Sequence, residues 1–201
     1  VIRPRGVSLH YEVELALILG KRVRDLNAQD EQAALDAIES ESFHLRGQYN
    51  QSPMTDPHAG YALSIDMTAR NVQNEAKKKG LPWDISKGFD TFLPLGNVIS
   101  KAAIPDPHKI ELYLSVNGNV QQSDSTELML FRIPRILSDI SKVMTLEPGD
   151  IVLTGTPKGV GAVVPGDVMR AGIRVGGKEL EEAKMEVGVE ESTSSYEYAE
   201  T

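Results

Sequence analysis

The run Leu15-Ala-Leu-Ile-Leu19, headed by Glu12 and Glu14 and closed by Gly20, constrains this chain most. It predicts a buried strand over 13–19, because so short an apolar run is what a buried strand needs. Side chains at i and i+2 of a strand share a face, which sets Glu12 and Glu14 side by side at its start. Two carboxylates that close repel, and burying them unpaired costs several kcal/mol or forces a proton onto one. A hard divalent cation removes both problems, since Mg²⁺ and Ca²⁺ prefer oxygen ligands. Two solvated glutamates at a strand end are the plain alternative, as Glu is mostly exposed in folded proteins.

With 201 residues, 40% of them apolar, the chain can bury a sizeable core in one large or two small domains. The single-domain reading over 1–201 is the one taken here, with 190–201 as a tail. A formal net charge of -8 argues against a nucleic-acid surface, which needs clustered Lys and Arg. It leaves room for small anionic substrates, which need only a local positive site. No stretch approaches the roughly 20 apolar residues of a membrane helix. Cysteine is absent, which excludes disulfides, zinc–thiolate sites and Cys nucleophiles. The first residue is Val1, so a natural start and any targeting peptide are expected to lie outside this sequence.

Residues 1–9 read as an extended lead-in and 28–41 as a surface helix. The polar stretch 42–59 has no periodicity, carries Gly47, Pro53 and Pro57, and reads as a long loop. A buried strand over 60–67 ends at Asp66, and Thr68 is placed to cap a helix that Gly80-Leu-Pro82 terminates. The alternation of 110–122 about Asn117-Gly118 predicts a β-hairpin. Ile133, Ile136, Leu137, Ile140 and Val143 recur at helical spacing. Glu147-Pro-Gly-Asp150 reads as a turn before a buried strand over 151–153, with further strands over 167–175 and 183–189. From Glu179 to Thr201 there are eight Glu and one Lys, which predicts a solvated end. Many strands, few helices and a weak βαβ rhythm predict an α+β fold, mainly β, built on a rolled or mixed sheet.

Asp66 is a third carboxylate at a strand end. With Glu12 and Glu14 it can build an oxygen-rich site with positions open to water and substrate; helix capping is the alternative role. Arg70 and Gln73 share a helix face, where Arg suits a carboxylate and a solvated face is the ordinary expectation. The run Lys77-Lys78-Lys79 sits where a helix C-terminus favours cations. Lys87 differs, because the aromatic and small residues of 83–92 would hold it half-buried, next to Gly88, as an electrostatic partner for a developing enolate or carboxylate. Leu153-Thr-Gly155-Thr156-Pro157-Lys-Gly159-Val-Gly161 is a Gly-rich turn without the Walker A spacing, able to meet a carboxylate through its N–H groups and Thr156. His10 would share the face of Glu12 and Glu14 as a supporting or surface residue. No Ser-His-Asp arrangement can be drawn from His10, His44, His58 and His108.

Six strings, in order, carry a resemblance over nearly the whole chain: His10-Tyr-Glu-Val-Glu14-Leu-Ala, Asp66-Met-Thr-Ala-Arg70-Asn-Val-Gln73, Lys77-Lys-Lys-Gly-Leu-Pro-Trp83, Ser86-Lys87-Gly-Phe-Asp, Leu146-Glu-Pro-Gly-Asp150 and Thr154-Gly-Thr-Pro-Lys-Gly-Val-Gly161. Together they resemble the fumarylacetoacetate hydrolase superfamily, in its acylpyruvase, oxaloacetate decarboxylase and oxaloacetate tautomerase branch. The resemblance implies a rolled sheet, a homodimer and a mitochondrial or cytoplasmic setting. It implies Mg²⁺ or Mn²⁺, with Ca²⁺ able to take the same place, on Glu12, Glu14 and Asp66. Substrate contacts from Arg70, Gln73, Lys87 and Thr156 follow, with Lys87 as the catalytic group. The implied reaction is hydrolytic C–C cleavage of 2,4-dioxo acids or decarboxylation of oxaloacetate through an enolate. The alternatives are keto–enol tautomerisation of oxaloacetate and a metal-binding relative without activity. The family's catalytic His and Glu lie on a lid upstream of the Glu-x-Glu strand. Only eleven residues precede Glu12, so that lid is expected to be missing from this sequence, and 42–59 reads as an insertion.

Overall fold

The computed structural model describes residues 1–39 and 59–199. The expected loop and insertion over 42–59 therefore lies, but for Ala59, outside the described residues. In chain order the strands are β1 (Ile2–Arg3), β2 (Leu9–Tyr11), β3 (Val13–Ile18), β4 (Gly60–Ile65), β5 (Thr68–Ala69), β6 (Ile110–Val116), β7 (Asn119–Ser125), β8 (Ile151–Leu153), β9 (Gly161–Ala162), β10 (Val168–Val175), β11 (Lys178–Glu179), β12 (Met185–Gly188) and β13 (Glu190–Glu191). The helices are α1 (Glu31–Asp36), α2 (Arg70–Lys79), α3 (Asp84–Lys87) and α4 (Ile133–Val143). This is the α+β, mainly β architecture the pattern predicts, with more and shorter strands and one more helix.

β3 is the hub. It lies between β4 and β8 in an antiparallel sheet, and all six of its residues are buried. Its faces divide by the period of two: Val13, Leu15 and Leu17 enter the main core, while Ala16 and Ile18 pack with Ala62 on the other face. Glu14 falls on that second face, beside small residues that leave room for a carboxylate. A second sheet runs β11-β10-β6-β7, with β12 also paired to β10. Its β6–β7 hairpin turns on Asn117 and Gly118, both with positive φ as a two-residue turn of this hand requires. A small sheet, β5-β2-β9, and the parallel pair β1–β13 complete the fold. Among the described residues no helix is long and apolar enough to cross a membrane.

Several local expectations need correction. The first strand is not continuous through both glutamates: it breaks at Glu12, between β2 and β3, where the Glu12 carbonyl still accepts from the Asp66 N–H at 2.8 Å. Thr68 does not cap a helix. It pairs with His10 in β5, and α2 begins at Arg70, whose N–H is taken by the Ser8 carbonyl. Of the described part of 28–41, only Glu31–Asp36 is helical, capped by the Asp30 side chain. β8 is half-exposed, with only Val152 buried, because it is a sheet edge. The acidic C-terminal stretch is largely exposed, as its charge predicts, but it is also paired as far as Tyr198. β13 pairs with β1, Arg3 bridges Glu191 at 2.7 Å, and the Tyr198 N–H reaches the Arg5 carbonyl.

α4 has an unforeseen anchor. The buried His108 accepts the N–H of Ile133, the first residue of the helix, at Nε2. That bond requires a neutral imidazole. Burial and the nearby Arg132 guanidinium lower its pKa, against the opposing charges of Asp106 and Glu31. A base whose folded pKa lies below its unfolded value stabilises fully above the unfolded pKa, and loses that contribution as pH falls through the folded one. His108→Ala is expected to cost about 1–3 kcal/mol by orphaning the Ile133 N–H. Thermal melts at pH 8, 6.5 and 5 should show the wild type losing stability on acidification more steeply than His108→Gln.

Candidate metal centre

Three chain segments meet where β3 starts. The break at Glu12 turns its carboxylate toward Asp66, one residue past β4, and Glu14 reaches the same place from β3. Carboxylate oxygens of Glu12, Glu14 and Asp66 all lie within 4.8 Å of one another. The structure thus brings together the two glutamates of the i, i+2 argument, across a strand break that the argument did not foresee.

Two cations face this cluster. Lys87 Nζ, at the end of α3, donates to Asp66 Oδ2 at 2.6 Å and to Glu12 Oε2 at 3.0 Å. Arg70 Nη2, at the first residue of α2, donates to Glu12 Oε1 at 2.5 Å, while Nη1 donates to Gln73 Oε1 at 2.6 Å. The spacing of Arg70 and Gln73 on one helix face thus fixes the guanidinium by its helical neighbour, itself buried. With all three ionised, three carboxylates against two cations leave a net negative charge, and among the described residues no side-chain cation hydrogen-bonds Glu14.

Glu14 is the most buried of the three, at 4% exposure. Burial pushes its carboxyl up to about 7; the Gly155 N–H opposes the rise, and the charges of Asp66 and Glu12 add to it. Asp66 is also raised, by burial first, with Lys87 pulling the other way. A half-buried set of hard oxygen donors, short of positive charge at its deepest member, fits a hard divalent cation. Thiolate ligands are excluded, because the sequence has no cysteine.

The Gly-rich turn plays a part that its sequence did not reveal. The Gly155 N–H donates to Glu14 Oε2 at 2.6 Å, so the turn grips a carboxylate of the chain itself. Thr156 Oγ1 donates to the Val13 carbonyl at 2.8 Å and accepts from Gln122 Nε2 at 2.9 Å, so its hydroxyl is committed to the turn. Gln122 was missed altogether. It is fully buried, accepts the Val13 N–H at Oε1, and donates also to the Pro157 carbonyl. The available signal was a polar residue at an inward position of the hairpin. Gln122→Leu should leave the Val13 N–H and Pro157 carbonyl unpaired, at roughly 2–4 kcal/mol, measurable by urea unfolding.

His10 pairs across to Thr68 and Ala162, and burial with the Arg70 charge holds its imidazole below the ordinary range. Lys77 stacks on Trp83 at 5.3 Å and Lys79 pairs with Glu75, as expected of cations in a last helical turn. A largely apolar cavity of about 440 Å³, lined by Leu112, Asp124, Leu128, Phe131, Leu153 and Pro157 among others, adjoins the Gly155 turn. None of the three carboxylates lines it.

The fumarylacetoacetate (FAA) hydrolase C-terminal pattern matches residues 57–187. The chain is 52% identical, over 85% of its length and 68% of the relative's, to a mitochondrial oxaloacetate tautomerase of Schizosaccharomyces pombe. It is similar to the crystal structure of a yeast fumarylacetoacetate hydrolase family protein, with TM-score 0.85 and 38% identity over 100% of this chain and 75% of that one. A fumarylpyruvate hydrolase from Pseudomonas aeruginosa, in complex with Mn²⁺ and pyruvate, superimposes with TM-score 0.73 and 28% identity over 92% of this chain and 67% of that one. The chain spans about two thirds of the length of the curated relatives it matches, from 62% to 68%.

Proposed function

The chain belongs to the fumarylacetoacetate hydrolase family, and on that premise we propose that it is a divalent-metal-dependent enzyme interconverting the keto and enol forms of oxaloacetate. The observation that carries the reading is the cluster itself: three carboxylates within 4.8 Å, bridged by Lys87 and flanked by Arg70. Glu12, Glu14 and Asp66 would hold Mg²⁺, or Mn²⁺ in its place. The ion, when bound, supplies a Lewis acid toward the keto and carboxylate oxygens of a 2-oxo acid.

The chain's own groups do the rest. Lys87 keeps an ammonium at the edge of the cluster, where it offsets negative charge developing on the substrate's C2 oxygen as the C3 proton leaves. Its bonds to Glu12 and Asp66 hold that charge in place beforehand, so little reorganisation is needed. Arg70, braced by Gln73, orients Glu12 and presents its guanidinium to the substrate carboxylate. Thr156 contributes through the main chain of its turn, since its hydroxyl is taken. Tautomerisation needs a proton shuttle but no activated water: the C3 proton passes to a water molecule and one returns to the C2 oxygen, while these groups stabilise the enolate between the two transfers.

The tautomerase reading displaces C–C hydrolysis and decarboxylation from first place, because the 52%-identical relative carries that name. Hydrolysis of acylpyruvates stays as the second reading, favoured by the fumarylpyruvate hydrolase similarity. By the same relationship the protein is placed in the mitochondrion. A homodimer is part of the proposal, with the exposed row Leu128, Leu130 and Phe131 as apolar surface for a second copy to cover.

Oxaloacetate, acetylpyruvate and fumarylpyruvate, each offered with Mg²⁺, test the reading. The expected result is accelerated decay of enol-oxaloacetate absorbance without pyruvate, and slower or no cleavage of the other two. Pyruvate release that keeps pace with substrate loss would transfer the assignment to the hydrolase or decarboxylase. No turnover despite bound Mg²⁺ would make the protein an inactive relative. Light scattering at a mass twice the monomer's is expected for the dimer.

A further inference from the structure

Lys87 must keep its Nζ within hydrogen-bonding reach of two carboxylates on different segments, yet it ends a four-residue helix. So short a helix does not hold itself in water. The turn therefore needs an external anchor. Before Lys87, Ser86 is buried and its Oγ donates to the Trp83 carbonyl at 2.6 Å. α3 also packs against α2 and β5. After Lys87, Gly88 offers no side chain, and Phe89 is the first residue on that side whose side chain fastens the turn to the body of the protein.

Phe89 does so through two rings. On its inner side it meets the buried Phe92 with centroids 5.0 Å apart, and the Phe92 carbonyl accepts the N–H of Met67, next to Asp66. On its outer side it meets Tyr196, at 5.7 Å and tilted by 57°. Tilted aromatic pairs at this spacing stabilise beyond the area they bury.

Tyr196 is itself held from both directions. Upstream, β13 is registered on β1, the Ser192 N–H donates to the Arg3 carbonyl, and Arg5 reaches the Ser194 carbonyl. Downstream, Tyr198 is fixed to the Arg5 carbonyl through its N–H, and its hydroxyl donates to Glu75 on α2, the helix that bears Arg70 and Gln73. The acidic C-terminal segment thus touches both elements that carry the site's cations, at Phe89 just after α3 and at Glu75 on α2.

We propose that Tyr196 is a positioning residue for Lys87: its ring clamps Phe89 from outside and so holds the Lys87 ammonium on Glu12 and Asp66. The inference rests on the reading that Lys87 belongs to the active site, but the clamp can be tested without turnover. The clamp is a contact between rings, so a phenyl ring should serve as well.

The test is amine acylation of the intact chain, followed residue by residue by mass spectrometry, in wild type, Tyr196→Ala and Tyr196→Phe. Lys87 in the wild type should react slowly, because it is ion-paired and three-quarters buried. Tyr196→Ala should raise the Lys87 rate several-fold while the exposed Lys109 stays unchanged, and Tyr196→Phe should match wild type. Oxaloacetate turnover should fall about tenfold in Tyr196→Ala and recover in Tyr196→Phe. Unchanged Lys87 labelling in Tyr196→Ala would overturn the proposal. So would a rise at all lysines together, which marks general loosening. If the labelling changes as expected in a protein with no turnover at all, the clamp stands and the enzymatic reading fails.

Discussion

Replacing Glu14 with glutamine is expected to abolish Mg²⁺ binding at working concentrations and to lower oxaloacetate tautomerisation about 10³-fold, roughly 4 kcal/mol of lost stabilisation. The choice of glutamine matters. Its carbonyl can still accept the Gly155 N–H that Glu14 Oε2 now accepts at 2.6 Å, so the turn keeps its bond and only the charge goes. Alanine removes both, and adds about 1–3 kcal/mol for the unpaired N–H. Stability should move the other way from activity. A carboxyl raised to about 7 in the fold must be held charged above that pH, against burial, when no cation is bound. For an acid with a raised folded pKa the penalty is absent well below the ordinary range and grows as pH rises toward the folded value. Metal-free Glu14→Gln should therefore melt higher than metal-free wild type at pH 8, with the difference shrinking toward pH 5. Mg²⁺ should stabilise the wild type at pH 8 and leave Glu14→Gln unmoved.

Lys87→Met separates binding from chemistry. Methionine keeps a long apolar side chain where the lysine stem now runs, but removes the ammonium from Asp66 and Glu12. The carboxylate cluster becomes more negative, so Mg²⁺ should bind at least as tightly as in the wild type. Turnover should nonetheless fall about 10²–10³-fold, because the charge that meets the developing enolate is gone. Isothermal titration with Mg²⁺ beside the enol assay checks both halves. Parallel loss of affinity and turnover would assign Lys87 to holding the ligands in place and not to the reaction.

The parts of this site that could be read from the chain are those governed by short-range rules. The apolar run after Glu14 announced β3, Asn117-Gly118 announced the hairpin, and Gly80 ended α2 in the left-handed conformation such ends favour. Glu12, Glu14, Asp66, Arg70, Gln73 and Lys87 all converge on one place. What stayed hidden depends on partners far away in sequence. The Gly155–Glu14 bond spans 141 residues, and Gln122 reaches Val13 across 109. Thr68 has the chemistry of a helix cap, but it pairs with His10, where the ladder satisfies backbone groups of both strands. The Glu-rich C-terminus reads as solvated by charge alone, yet Arg3, Arg5 and the Phe89 ring give it a docking track. Charge pattern reports solubility, and says little about which backbone a segment will pair with.

Exchange of the C3 protons of oxaloacetate with D₂O, followed by NMR on chelator-stripped protein, puts the central claim to the most direct test. The rate should stay at the uncatalysed level without metal and rise steeply with Mg²⁺, beyond the effect of the ion alone. It should fall back in Glu14→Gln, and the pyruvate signal should not grow faster than in the protein-free control. Exchange that is equally fast in stripped protein and in Glu14→Gln would contradict the account, because it would place the chemistry away from the three carboxylates.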